Sequence, residues 1–103
     1  MNYSVNISQP AEEDLNQIVD YIVVQLAAPT AALDFIERFS NAVSSLKSYP
    51  HRCSMVRDEE FQLHGFRKIF LKNYIVFFTI NEAEQTVYIN RVLYNRRNWT
   101  DII

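Results

Sequence analysis

The 103-residue sequence predicts an α+β domain of order β-α-α-β-β-β, in which an N-terminal helical hairpin packs on a small antiparallel sheet. Three patterns carry that expectation: alternation at the start, two stretches of three-and-four spacing in the first half, and strand-like segments after the only glycine, Gly65. Helices gathered ahead of hairpin-connected strands can bury their apolar faces only by lying together on the sheet. With 49% hydrophobic residues and 14% aromatics there is material for one modest core, so residues 1–103 are expected to form one domain.

The elements follow in order. Tyr3, Val5 and Ile7 alternate with Ser4, Asn6 and Ser8, the pattern of a short half-buried strand. Ser8 can cap the next helix, Pro10 is tolerated in its first turn, and Glu12, Glu13 and Asp14 suit the positive end of its dipole. Ala11, Leu15, Ile18, Ile22 and Leu26, with Val19 beside them, give that helix an apolar face. Ala28-Pro29-Thr30 interrupts the pattern, because the residue before a proline is steered away from helical dihedrals. Pro29 or Thr30 opens a second helix whose face is Ala32, Phe35, Ile36, Phe39, Ala42, Val43 and Leu46, and Pro50 stops it. So short a link implies an antiparallel hairpin. Periodicity disappears from His51 to Gln62, which reads as a loop. Phe66 to Lys72 is a strand with basic residues interspersed. Tyr74 to Ile80 is nearly continuously apolar, as a central strand covered on both faces must be. Asn81 to Gln85 forms a polar turn, and Thr86 to Leu93 the last strand.

The net charge of −2 hides an asymmetry. Residues 1–60 hold four Arg/Lys against nine Asp/Glu, and residues 61–103 hold six against three. An acidic helical side and a basic side that can meet an anionic or acidic partner follow from this split. Cys53 has no second cysteine to pair with, and His51 is its only close neighbour of metal-ligand type, so neither a disulfide nor a metal site is expected. A reducing, cytoplasmic setting fits. No basic-then-apolar leader opens the chain, and no apolar run approaches the roughly 18 residues that a membrane helix needs.

Several segments together resemble a known family. They are "Ala11-Glu12-Glu13-Asp14-Leu15-x-x-Ile18-x-x-Tyr21-Ile22", "Pro29-x-Ala31-Ala32-x-x-Phe35", "Leu46-x-x-x-Pro50", "Gly65-Phe66-Arg67-Lys68", "Asn73-Tyr74-Ile75-Val76-Phe77-Phe78" and "Val87-Tyr88-Ile89-x-Arg91-Val92-Leu93-Tyr94-x-Arg96-Arg97-x-Trp99". In order and spacing this is similar to the ParE/RelE superfamily of type II toxin–antitoxin toxins. The resemblance implies a toxin without cofactor, neutralised by a co-expressed antitoxin whose C-terminal segment wraps its surface. Family membership leaves the target open. ParE-like members poison DNA gyrase, whereas RelE-like members cut mRNA in the ribosome. Ribonuclease members carry an arginine directly after the position of Tyr74, where this chain has Ile75. Metal-free RNA cleavage needs convergent cations and an acid or base, so that departure favours the gyrase reading. The long helical hairpin and the Arg91-x-Leu93-x-x-Arg96-Arg97-x-Trp99 ending point the same way, as does the acidic overall charge.

The expected target-binding residues are therefore Arg67, Lys68, Lys72, Arg91, Arg96, Arg97 and Trp99. In the ribonuclease alternative Lys68, Arg91, Tyr94, Arg96 and Arg97 would be catalytic, and a third reading is a degenerate domain that binds antitoxin without toxicity. Each residue also has a plainer reading. Arg91 would pair with a helix carboxylate, and Arg67, Lys68 and Lys72 would decorate a solvated strand edge. Tyr94 would be a half-buried aromatic beside Tyr88, and Arg96, Arg97 and Trp99 a solvated tail. His51 and His64 lack a matched nucleophile and are assigned no catalytic role. Tyr21, Val23 and Val24 fall off the helical stripe, and an exposed apolar patch there would receive the antitoxin.

Overall fold

In the computed structural model, which describes residues 2–53, 55–56 and 65–95, the predicted order of elements is present. Strand β1 (Ser4–Ile7) leads into helix α1 (Gln9–Asp20), a π-helical turn (Tyr21–Gln25) and helix α2 (Pro29–Ser48). A 3₁₀ turn (Pro50–Arg52) follows, then β2 (Arg67–Leu71), β3 (Tyr74–Asn81) and β4 (Thr86–Tyr94). Ser8 caps α1 as expected, its hydroxyl accepting a hydrogen bond from the Ala11 amide at 3.2 Å. The α-helix ends sooner than the apolar spacing suggests. At Tyr21 the chain widens into the π turn, and it leaves through Ala27 in the left-handed region (φ 47°), so that Leu26 turns outward.

The sheet order is β1-β4-β3-β2. β2, β3 and β4 form the expected antiparallel meander, but β1 lies parallel to β4, pairing Ser4 with Thr86 and Ile7 with Ile89. The sheet is therefore mixed, which corrects the wholly antiparallel expectation. Alternation along β1 specifies which face is buried and is indifferent to strand direction; the long crossover through both helices sets the direction.

Both helices cover one face. Ala11, Ile22, Ala32, Phe35, Ala42 and Leu46 meet Val76, Phe78, Val87, Ile89 and Val92 in the main core. On the opposite face Ile75, Phe77 and Leu93 form a second cluster with Val56, and Phe66 packs against it. Burial on both faces is what the continuous apolar run of β3 demanded, and Phe77 and Phe78 are 0% exposed. Between these two residues the β3–β4 register slips, leaving Asn90 as the extra residue of a bulge. Ser8 clasps this bulge: its amide donates to the Ile89 carbonyl and its hydroxyl to the Asn90 carbonyl, each at 3.0 Å. The start of α1 is thereby tied to the point where β4 outruns β1.

A candidate partner-binding face

Asp14 sits on the apolar stripe of α1 and is buried. The Arg91 guanidinium donates to both of its oxygens, Nε to Oδ2 at 2.7 Å and Nη2 to Oδ1 at 2.8 Å, and the Val92 amide donates to Oδ2 at 3.0 Å. The hydrogen bonds that Arg91 donates to Asp14 move the Arg91 pKa above its ordinary value, against the opposing pull of burial, and the negative charges of Asp14 and Glu13 add to the rise. Arg91 thus takes the plainer of its two readings, paired with a helix carboxylate. Asp14, expected to serve the helix dipole, was the residue missed; its signal is a carboxylate on the same helix face as Ala11 and Ile18.

The basic residues of the β2 region do not form one stripe. Arg67 pairs in register with Phe78, which faces the helices, and its Nη1 donates to the carbonyls of Cys53 (2.7 Å) and His51 (3.3 Å), holding the chain that leaves α2. Lys68 pairs with Phe77 on the opposite face, with its ammonium 5.5 Å from the Phe70 ring centroid. Lys72 occupies the β2–β3 turn in the left-handed region, φ 57°. His51 contacts the Glu82 carboxylate at 2.5 Å, and the Tyr3 hydroxyl donates to the same carboxylate, so this histidine closes a structural cluster. Arg96, Arg97, Trp99 and His64 lie outside the described residues. Among the described residues no group of three His, Cys, Asp or Glu is placed to hold a metal ion, and no helix is long and apolar enough to cross a membrane.

A groove of about 590 Å³ opens between α1 and the ends of β3 and β4, lined by Gln17, Ile18, Tyr21, Leu26, Tyr74 and Tyr94 among others. Tyr94 lies against Tyr74 at 5.6 Å between ring centroids, which corrects the expected place beside Tyr88, and Tyr74 packs edge-on against Phe35 at 5.1 Å. Of the three non-glycine residues in the left-handed region among the described residues, Ala27 and Lys72 adjoin the lining residues Leu26 and Asn73, whereas Gln85 lies in the β3–β4 turn; the π turn supplies Tyr21. Tyr21, Val23 and Val24 are exposed, Val24 by 68%, as is Leu26, and together they make an apolar tip on the hairpin.

Burial raises the Tyr74 pKa, with Tyr94 and Tyr21 adding to it. Burial and the Glu82 carboxylate raise Tyr3, and the hydrogen bond to Glu84 raises Tyr88. A tyrosine whose folded pKa exceeds its unfolded value near 10 contributes stability that is complete below that value and lost as pH climbs past it. The urea midpoint is therefore expected to fall above pH 10, with Tyr74→Phe flattening the decline; a midpoint unchanged to pH 11 would contradict this.

The sequence and the fold have counterparts in known proteins. The model of the family described as ParE toxin of type II toxin–antitoxin system, parDE, matches residues 5–99. No curated protein matches. Among solved structures, the chromosomal ParDE toxin–antitoxin system from P. aeruginosa aligns with TM-score 0.70 and 22% identity, over 89% of this chain and 95% of that one. The RelBE2 toxin–antitoxin complex from Mycobacterium tuberculosis aligns with TM-score 0.64 and 23% identity, over 92% and 100%. A variant of the E. coli toxin RelE in the free state aligns with TM-score 0.67 and 12% identity, over 99% and 93%. At such identities the structures speak for the fold, and the family model covers nearly the whole sequence: this chain belongs to the family of ParE toxins of type II toxin–antitoxin systems.

Proposed function

We propose that this ParE-family toxin acts on DNA gyrase through protein contacts, without chemistry of its own, and that a cognate antitoxin silences it by covering the hairpin tip at Tyr21, Val23, Val24 and Leu26. The observation that carries the reading is the dispersal, among the described residues, of groups that a metal-free ribonuclease needs to converge. Lys68 shares a face with Phe77, whereas Tyr94 shares the helix-facing side with Tyr74. Arg91 is committed to Asp14 and Arg67 to the carbonyls after α2. Ile75, where an arginine would serve a ribonuclease, is buried in the second core cluster. Related systems determined as complexes, ParDE and RelBE2, support a protein partner.

Purified toxin is expected to inhibit supercoiling by gyrase or trap cleaved DNA, and to leave mRNA on translating ribosomes intact. Codon-position cleavage of mRNA with supercoiling untouched would replace the gyrase reading by the ribonuclease one. Inactivity in both assays, with antitoxin binding retained, would mark a degenerate domain.

A further inference from the structure

Strand β2 ends the sheet order, and among the described residues no strand lies beyond it. The start of its outer edge is occupied: the Val56 amide donates to the Phe66 carbonyl at 3.0 Å, and Met55 forms an antiparallel bridge with Arg67. In an antiparallel pair the backbone groups of successive residues point alternately toward and away from the partner strand, so the Phe66 bond fixes the phase. Phe66, Lys68 and Phe70 face outward, whereas Arg67, Ile69 and Leu71 face β3. Past the bridge the Lys68 carbonyl and both backbone groups of Phe70 point away from the sheet, and among the described residues nothing bonds them.

The side chains of this edge are as open as its backbone. Phe70 is 57% exposed and pairs in register with Ile75 of the second core cluster, which puts it on the sheet face away from the helices. Lys68 shares that face, with its ammonium 5.5 Å from the Phe70 ring centroid, and Lys72 follows in the turn. Among the described residues the ion pairs belong to Arg38, His51 and Arg91, so neither lysine is matched by a carboxylate. An exposed ring flanked by two unmatched cations is an anchor with a charge preference on either side.

Backbone and charge together select the occupant. A second copy of the chain fits badly. A two-fold pairing centred on Ile69 would bring the other copy's Leu71 to the place that Met55 holds against Arg67. Centred on Phe70, the pairing would set Lys68 of each copy opposite Lys72 of the other, and like charges directly opposite are destabilising. The phosphates of a nucleic acid supply acceptors only, which would leave the carbonyls of Lys68 and Phe70 unmatched. A polypeptide strand supplies donors and acceptors alternately, as this edge requires.

We propose that the outer edge of β2 from Lys68 to Phe70 is the docking site of an extended acidic segment of the target protein, which adds antiparallel as a short strand. An apolar or aromatic residue of that segment lies opposite Phe70, and carboxylates two positions to either side of it meet Lys68 and Lys72. The inference rests on the reading that the toxin acts on gyrase through protein contacts, and it names the chemistry of one contact.

The test uses the full chain, labelled with ¹⁵N, and the synthetic peptide acetyl-Thr-Glu-Val-Phe-Val-Glu-Thr-amide as the probe. Binding is expected to slow hydrogen exchange at the Phe70 amide, while the Asn95 amide, bonded to Asn73, serves as the internal reference and reports that each variant keeps its fold. An analogue methylated at every backbone nitrogen keeps the side chains and loses its donors, and is expected to bind about tenfold more weakly, the effect of one or two net hydrogen bonds. Replacing both glutamates of the peptide by lysine is expected to weaken binding by a similar factor, and the double variant Lys68→Glu with Lys72→Glu to reverse that preference. Equal binding of the methylated or lysine peptide, unchanged exchange at Phe70, tighter binding of an oligothymidylate than of the peptide, or no binding at all would each overturn the proposal. Supercoiling assays separate the two levels. Inhibition of gyrase by the wild type and the double variant alike retains gyrase as target and removes the β2 edge, whereas a wild type without effect removes the gyrase reading and leaves the peptide to judge the edge.

Discussion

Asp14→Ala is expected to lower the unfolding free energy by about 3 kcal/mol, the lower part of the range for breaking a buried ion pair. The carboxylate side chain is 10% exposed and its partner Arg91 25%, so the abandoned guanidinium can recover part of its hydration, which argues against the upper end. The loss exceeds that of an ordinary surface pair, because Asp14 also accepts the Val92 amide and its removal leaves that edge donor without a protein acceptor. Arg91→Met alone should cost less, since the carboxylate keeps the amide. The combination of Asp14→Leu and Arg91→Met is expected to recover much of the stability, because an apolar pair of similar volume carries no desolvation penalty. Urea unfolding of the wild type, Asp14→Leu, Arg91→Met and the double variant gives the coupling energy directly. A loss below about 1 kcal/mol for Asp14→Ala would mean that the pair behaves as a surface contact.

Phe78→Ala is expected to cost about 4 kcal/mol, the usual range for emptying an aromatic site in a core that cannot collapse around the gap. Phe78 is 0% exposed and lies in the layer between the sheet and both helices. In a chain of this size such a loss lowers the melting temperature by roughly 15–30 °C and removes a large share of a total near 5–15 kcal/mol. Differential scanning calorimetry at neutral pH measures it. A shift of only a few degrees would show that the helical layer is loosely seated and repacks.

Much of this architecture was readable before any coordinates. The Ser8 cap, the break at Pro29, the apolar face of α2 apart from the exposed Ile36, and the doubly buried β3 all follow from local chemistry repeated at a fixed period. The candidate surface was less legible. Tyr21, Val23 and Val24 stood out because they leave the helical stripe, and they are exposed. Tyr74 and Asp14 did not stand out, since their roles depend on residues distant in sequence: Arg91 reaches Asp14 across 77 positions. The basic residues of β2 looked like a stripe in one dimension, yet adjacent strand positions point to opposite faces, and this separates Arg67 from Lys68.

By itself the sequence determined the order and kind of the elements and most of the faces they bury, because caps, breakers and apolar periods are properties of neighbouring residues. Tertiary structure decided the parallel seating of β1 beside β4, the Asn90 bulge, the capture of Arg91 by Asp14 and the open edge past Ile7. Strand direction, register and ion-pair partners are chosen by the competition among distant segments for the same edge, and that competition exists only once the chain is folded.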